Sequence, residues 1–378
     1  MISIGLIFGA CLFLAFANGA NDNFKGVATL LGSRTAQYKT ALLWATLTTF
    51  LGSLTALFLA QELLINFSGK GLVPDSIVAM ESFSASVALS AAITVFLATK
   101  LGFPISTTHA LTGALVGAGF MASTAGVNLG KLISSFFLPL ISSPFLAISA
   151  AAGIYPLFTY IRKKSGVNRE TCLCLGNEVV ATGTHGLPSG AFATATIQID
   201  TQPKVIFGTQ LKCEERYVGN FWGISAKKIL DVSHFLSAGL VGFARGLNDT
   251  PKIAAVLLVG GSLSAVPAIF FVGIAIALGG VLMAKRVAKT MSFEITKMND
   301  GQGFTANIIT SIIVIGASQM GLPVSTTHVS CGALFGIGTI TKQAKWKSIA
   351  KIILSWLITL PVAGTLGYMI FAAIKGMG

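Results

Sequence analysis

Charge is what this sequence has least of: Asp, Glu, Lys and Arg make up 10% of its 378 residues, where a soluble domain needs about 25% to clothe its surface. That shortage excludes an ordinary cytosolic or secreted enzyme, and 53% hydrophobic residues point to lipid as the solvent for most of the chain. The apolar runs lack any repeat of two, which excludes a porin-type barrel and leaves helices. No GxxxxGK[ST] is present, so ATP drive within the chain is not expected. Cysteines are five, an odd count that gives no disulfide framework. Cys11 and Cys331 lie in apolar runs, and Cys172, Cys174 and Cys213 lie in a polar middle where reduced structural thiols are expected.

What is present is a series of charge-free runs, each long enough to cross about 30 Å of hydrocarbon, which takes about 20 helical residues. Residues 1 to 21, 41 to 61, 132 to 161, 253 to 284, 301 to 341 and 352 to 374 qualify. No basic residue precedes the first run and Asn18, Asn21 and Asp22 close it, so it is expected to stay in the mature protein rather than to be cleaved as a signal. The net charge of +13 does not imply nucleic acid, because the Lys and Arg residues sit in short clusters at the ends of apolar runs, as in cytoplasmic loops.

Residues 162 to 228 break this pattern. Turn signals separate short alternating stretches there (178–182, 192–198 and 204–208), which predicts a small extramembrane module with some β-structure. It opens with Arg162, Lys163 and Lys164 and is net positive, so the cytoplasmic side is expected. Cys172, Cys174 and Cys213 with His185 offer metal-ligand chemistry, although Cys-x-Cys with distant partners is a loose pattern.

The chain also repeats itself. Residues 18 to 32 align without gaps with 245 to 259 at an offset of 227, with seven of fifteen positions identical, and residues 103 to 119 align with 322 to 338 at an offset of 219, with ten of seventeen identical. Two homologous membrane repeats, 1 to 161 and 229 to 378, are therefore predicted on either side of the polar module. The expected fold is an all-α polytopic membrane protein. Such pairs of halves are expected in inverted orientation, with the substrate at their interface near the midplane. The 41 residues from 301 to 341 would make a helix of about 60 Å, twice the bilayer core. Broken or re-entrant helices are therefore expected, turning at Gly321-Leu322-Pro323 and at Gly102-Phe103-Pro104.

The helices restarting after those breaks open with Ser106, Thr107 and Thr108, and with Ser325, Thr326 and Thr327. Free amides, the positive end of a helix dipole and hydroxyl donors together make an anion cradle. Two cradles face to face would surround a tetrahedral oxyanion without fixed positive charge; the plain alternative is that these residues only cap helices. Asn21 with Asp22, and Asn248 with Asp249, place carboxylates beside apolar spans, a position that is functional by default. Hard oxygen ligands suit Na⁺, and the same carboxylates would instead carry a proton if burial neutralised them. Lys25 and Lys252 align as well, with pairing to Asp and a plain loop position both open. His109 and His328 follow the Ser-Thr-Thr runs as relay, contact or packing residues. Gly113 with Gly117, and Gly332 with Gly336, are read as close-packing positions.

At GAND (19 to 22), GLND (246 to 249), PISTTH (104 to 109) and PVSTTH (323 to 328), the sequence resembles the inorganic phosphate transporter (PiT) family, over nearly all of the chain outside 162 to 228. The resemblance implies secondary active uptake of inorganic phosphate with Na⁺ or H⁺ by a homodimer in the cell's inner (plasma) membrane, with no cofactor beyond the coupling ion. It implies phosphate binding on Ser106, Thr107, Thr108, Ser325, Thr326 and Thr327, and cation binding on Asn21, Asp22, Asn248 and Asp249. Where some sodium-coupled relatives carry a glutamate this chain has Asn307, which suits Na⁺ as an oxygen ligand and cannot shuttle a proton. Sulfate transport, a membrane enzyme acting on phosphate groups and a phosphate sensor are the competing readings.

Overall fold

The computed structural model describes residues 4–123, 126–181, 199–216, 222–259 and 263–376. The described residues are mostly helical. The long elements are α1 (Ile4–Asp22), α2 (Tyr38–Leu59), α3 (Glu81–Leu101), α4 (Thr107–Ala122), α5 (Leu138–Lys164), α6 (Gln210–Arg216), α7 (Ala226–Val259), α8 (Ala265–Met283), α9 (Asp300–Gln319), α10 (Thr326–Ile340) and α11 (Trp346–Gly376). Among the described residues, seven helical spans are long and apolar enough to cross a membrane, including Glu81–Leu101, which the charge-free runs of the sequence did not mark. Glu81 and Lys100 bound it and cut its charge-free stretch short. In α3 the serine and threonine hydroxyls turn inward onto the helix's own carbonyls, Ser90 to Ser86 (2.7 Å), Thr94 to Ser90 (2.8 Å) and Thr99 to Val95 (2.8 Å), so the polar atoms are satisfied within the span.

Two compact units are present. One comprises residues 1–155 and 234–378, the other 156–233. In the smaller, β1 (Thr171–Ala181) pairs antiparallel with β2 (Ile199–Thr209) on one side and β3 (Trp222–Ser225) on the other. The expected stretch at 192–198 lies outside the described residues, as does His185. The expectation of reduced thiols is corrected here: Cys174 and Cys213 form a disulfide. An odd count excludes only complete pairing, and antiparallel folding brings α6 back beneath β1, a juxtaposition that spacing along the chain does not reveal.

The larger unit is inside-out relative to a soluble protein. Leu43, Leu47, Leu51 and Phe58 lie exposed along α2, while Asp22, Lys25, Arg245, Asp249 and Lys252 are at most 3% exposed. Lipid suits the first group and only protein suits the second.

Glycine governs how the helices meet. A Cβ on Gly19 (α1) would stand 1.9 Å from Ile276 O (α8), and one on Gly246 (α7) would stand 2.0 Å from Thr49 O (α2). A Cβ on Gly279 (α8) would reach Phe16 O at 1.9 Å, and one on Gly52 (α2) would reach Phe243 O at 2.0 Å. Each contact in one pair becomes its mate when 227 is added or subtracted (19 and 246, 49 and 276, 16 and 243, 52 and 279). The first helix of each half therefore lies backbone to backbone on the second helix of the other. The restarting helices do the same: Gly113 and Gly117 of α4 meet Leu360 O and Gly364 O of α11, and Gly332 and Gly336 of α10 meet Pro144 O and Ile148 O of α5. Close packing at the GxxxG positions thus joins the halves rather than stabilising either one alone.

Both helix breaks share a local cause. Gly102 (φ 78°) and Gly321 (φ 68°) adopt the left-handed conformation, and paired bonds close the turn: Phe103 N to Ala98 O with Gly102 N to Thr99 O, and Leu322 N to Ala317 O with Gly321 N to Ser318 O. This is a Schellman stop with Pro two residues after the glycine. The chain then restarts with Ser106 and Ser325 as N-caps.

Replacing Gly117 by Ala is expected to destabilise the unit by at least about 1–3 kcal/mol, because backbone rather than a side chain must give way. Gly316 faces nothing within 4 Å, and Gly316→Ala is expected to be neutral or stabilising by up to about 1 kcal/mol. Thermal unfolding of both variants in detergent checks the contrast.

Candidate functional site

The broken helices and the two Asn-Asp motifs converge on one buried cluster. Lys25 lies one turn beyond Asp22, so its ammonium folds back into the protein. It pairs with the Asp22 carboxylate and donates to Asn21 Oδ1 (2.8 Å), Ile105 O (2.7 Å) and Thr327 Oγ1 (2.6 Å). Lys252 mirrors it: its ammonium donates to Val324 O (2.7 Å) and Thr108 Oγ1 (2.8 Å) and lies 3.7 Å from Asp249 Oδ1. Each cage takes its lysine, carboxylate and carbonyl from one half. Its hydroxyl comes from the other.

The threonines close the exchange in return. Thr327 Oγ1 donates to Ile105 O (2.9 Å) and Thr108 Oγ1 to Val324 O (3.2 Å). His109 and His328, equivalent by the repeat, have ring centroids 4.5 Å apart. They line an apolar cavity of about 400 Å³ with Trp356 and Phe335, apart from the cages.

The asparagines position the breaks. Asn21 Nδ2 donates to Thr99 Oγ1 (2.9 Å) and Phe103 O (3.0 Å), and its Oδ1 accepts from Ile105 N (3.2 Å). Asn248 Nδ2 donates to Val324 O (3.2 Å) and to Asp249 Oδ1 (2.9 Å), and its Oδ1 accepts from Ser318 Oγ (3.2 Å). Each Asn therefore pins the irregular backbone that its own half presents to the cage.

Two residues that sequence reasoning passed over bind the cages together. Asn18 Nδ2 donates to Thr107 Oγ1 (2.9 Å), Asp22 Oδ2 (3.2 Å) and Asp249 Oδ2 (3.3 Å). Arg245 donates from Nη2 to Asn18 Oδ1 (2.7 Å) and from Nη1 to Asn23 Oδ1 (3.2 Å) and Thr49 Oγ1 (3.3 Å), with Nε 3.8 Å from Asp249 Oδ2. Positions 18 and 245 are equivalent in the repeat, NGAND against RGLND. An arginine at the repeat position of Asn18, four residues before Asp249, was the available signal.

Of the expected phosphate ligands, Thr107, Thr108 and Thr327 enter these networks directly. Ser106 and Ser325 each accept the amide three residues on, from His109 N (3.1 Å) and His328 N (3.2 Å), and so act as caps. Thr326 is buried in the first turn of α10. Both restarting helices direct their first-turn amides and positive dipole ends inward. The expectation of cradles without fixed positive charge is corrected: three buried cations face two carboxylates, leaving one formal positive charge on the cluster. Spacing alone left both lysines open as loop charges. Asn307 is placed elsewhere, accepting from Thr29 Oγ1 (3.1 Å) and donating to Ser237 Oγ (3.2 Å). It makes no hydrogen bond to either cage among the described residues.

Comparison with known proteins agrees on one family. A model of the phosphate transporter family matches residues 18–367. Relatives include a protein of Pyrococcus abyssi named as a phosphate permease, 30% identical over 97% of this chain and 96% of its own length. A protein of Rhizobium meliloti named as a low-affinity inorganic phosphate transporter is 29% identical over 98% and 96%. Among solved structures, one titled the sodium-dependent phosphate transporter superposes with a TM-score of 0.74 at 20% identity, covering 100% of both chains. At that identity the likeness concerns the fold.

Breaking one buried pair strands the other charge, at about 3–5 kcal/mol, whereas replacing both partners is often neutral. Asp22→Asn or Lys25→Met alone is expected to lower the melting temperature in detergent, and the double variant to recover most of the loss. Equal melting of Asp22→Asn and wild type would contradict the pairing.

Proposed function

Because the chain belongs to the phosphate transporter family, we propose that it imports inorganic phosphate by symport with a cation, the site lying between its two halves. The chain is a multi-pass membrane protein, and the inner (plasma) membrane of the cell is the proposed location. The observation that carries this reading is the duplicated cage, in which each ammonium is bonded at once to the oxygen ligands of its own half and to the threonine of the opposite restarting helix.

Phosphate oxygens compete for the donors that now satisfy one another: the ammonium groups of Lys25 and Lys252, the hydroxyls of Thr107, Thr108, Thr326 and Thr327, and the first-turn amides. Ser106 and Ser325 hold those turns in shape, and their own O–H groups remain available as donors. An ammonium that turns toward phosphate leaves its oxygen cage without a cation. A cage of carboxylate and amide or peptide oxygen (Asp22, Asn21 Oδ1 and Ile105 O, or Asp249 and Val324 O) then suits Na⁺, a hard cation matched to oxygen ligands. Asn248 supports the second cage by holding Val324. Asn307, with Thr29 and Ser237, is proposed as a Na⁺ contact along the path rather than in the cages. Phosphate and cation thus enter together, because either alone leaves buried charge uncompensated.

H⁺ is the second reading, favoured by the cages being already filled by lysine ammonium groups, since protonating Asp22 or Asp249 would compensate a vacated cage equally well. Exchange of access between the two faces, by two similar halves rocking on each other in an inverted arrangement, belongs to this reading, and the duplicated packing of the halves supports it. A homodimer belongs to it too, on the family resemblance.

Radiolabelled phosphate uptake into proteoliposomes, under an inward Na⁺ gradient or an inward proton gradient at matched potential, tests the proposal. Accumulation driven by Na⁺ is expected, with Asp22→Asn and Asp249→Asn each lowering the rate at least about tenfold, equal to about 1.4 kcal/mol. Drive by protons alone would replace Na⁺ by H⁺, and no accumulation under either gradient would overturn symport. Sulfate competing as well as phosphate would overturn the assignment of substrate.

A further inference from the structure

In the smaller unit, three cysteines form a cluster among the described residues. Cys172 and Cys174 occupy alternate positions on β1, so their side chains share a face of the sheet. Cys213 comes from α6, which returns against that face. All three are buried, at 3% exposure or less, and their sulfur atoms lie within 4.8 Å of one another. Cys174 and Cys213 are joined. Cys172 remains a thiol, its sulfur 3.3 Å from that of Cys174.

A disulfide accounts for two of the three sulfurs and leaves the third without a task. Packing alone does not require three thiols on one point, because Ile206 is the described apolar side chain packed against the cluster and any small hydrophobe would fill the same space. A metal centre requires all three. In a tetrahedral zinc site with Zn–S bonds of about 2.3 Å, ligand sulfurs stand about 3.8 Å apart, within the spread seen here. Two ligands fixed on one strand and a third on the helix that follows the neighbouring strand form a preorganised half-shell.

We propose that the reduced form of this module binds one thiophilic divalent cation, Zn²⁺, through Cys172, Cys174 and Cys213, and that the disulfide is its oxidised, metal-free form. Reduction by a dithiol cleaves the Cys174–Cys213 bond, giving two protein thiols and the reductant's disulfide. Zn²⁺ then displaces three protons and is held by three thiolates, with water as fourth ligand. Metal occupancy would therefore report the redox state of the compartment that the module faces.

The full-length protein in detergent, reduced anaerobically and then freed of reductant, is titrated with Zn²⁺ and separately with Co²⁺. About one Zn²⁺ per chain is expected in the reduced protein and less than about 0.1 in the oxidised protein, with a sulfur-to-cobalt charge-transfer band in the reduced protein alone. Cys172→Ser leaves the disulfide intact, and after reduction it is expected to bind Zn²⁺ at least about tenfold more weakly and to lose intensity in the cobalt band. Cys11→Ser with Cys331→Ser is expected to bind as wild type. Reduced wild type with less than about 0.1 Zn²⁺ per chain overturns the proposal, as does binding that Cys172→Ser leaves unchanged.

Discussion

Five ionisable side chains buried together, Asp22, Lys25, Arg245, Asp249 and Lys252, set the terms for the rest of this molecule. A lysine, arginine or carboxylate within a span is tolerated only when other protein groups replace its hydration. Neither half of this chain does that alone. The ammonium of Lys25 needs Thr327, that of Lys252 needs Thr108, and Arg245 reaches across to Asn18 and Asn23. Charge compensation therefore ties the two halves together more specifically than apolar packing does, because lipid offers an apolar surface to either half at no penalty.

Backbone geometry supplies what those interactions require. Carbonyls such as Ile105 O and Val324 O are free to accept an ammonium because the chain is not helical there. It is not helical because Gly102 and Gly321 stop one helix and Pro104 and Pro323 delay the next. Glycine at 19, 52, 246 and 279 then lets the first and second helices of opposite halves approach until backbone meets backbone. The same contacts recurring at a constant separation of 227 residues show that the duplication seen in the sequence survives in the packing, where the partners exchange halves.

Much of this was legible in the residues, for identifiable reasons. Breaks at Gly-x-Pro and helix starts at Ser-Thr-Thr are local stereochemistry, so a sequence states them directly. The Asn-Asp motifs stood out because a carboxylate is rare in an apolar run and here occurs twice. The span at 81–101 was less visible, because Glu81 and Lys100 bound its charge-free stretch and leave it just short of the about 20 residues that a crossing takes. The placement of Lys25 and Lys252 inside the site, and the part of Asn18 and Arg245 in joining the cages, depend on which helix of one half faces which of the other. No one-dimensional pattern encodes that. Asn307 was expected as an oxygen ligand for Na⁺, and the fold sets it beside Thr29 and Ser237, a neighbourhood that position along the chain does not disclose. The disulfide was missed because parity was read as chemistry.

The central claim is that one anion site is built equally by both halves, with Thr108 and Thr327 in equivalent positions. Equilibrium binding of radiolabelled phosphate to purified protein tests it most directly, comparing wild type with Thr108→Val and Thr327→Val. The account predicts that both variants lose affinity by similar factors, at least about fivefold, near 1 kcal/mol for a lost hydrogen bond in a buried site. Wild-type affinity in either variant would contradict it.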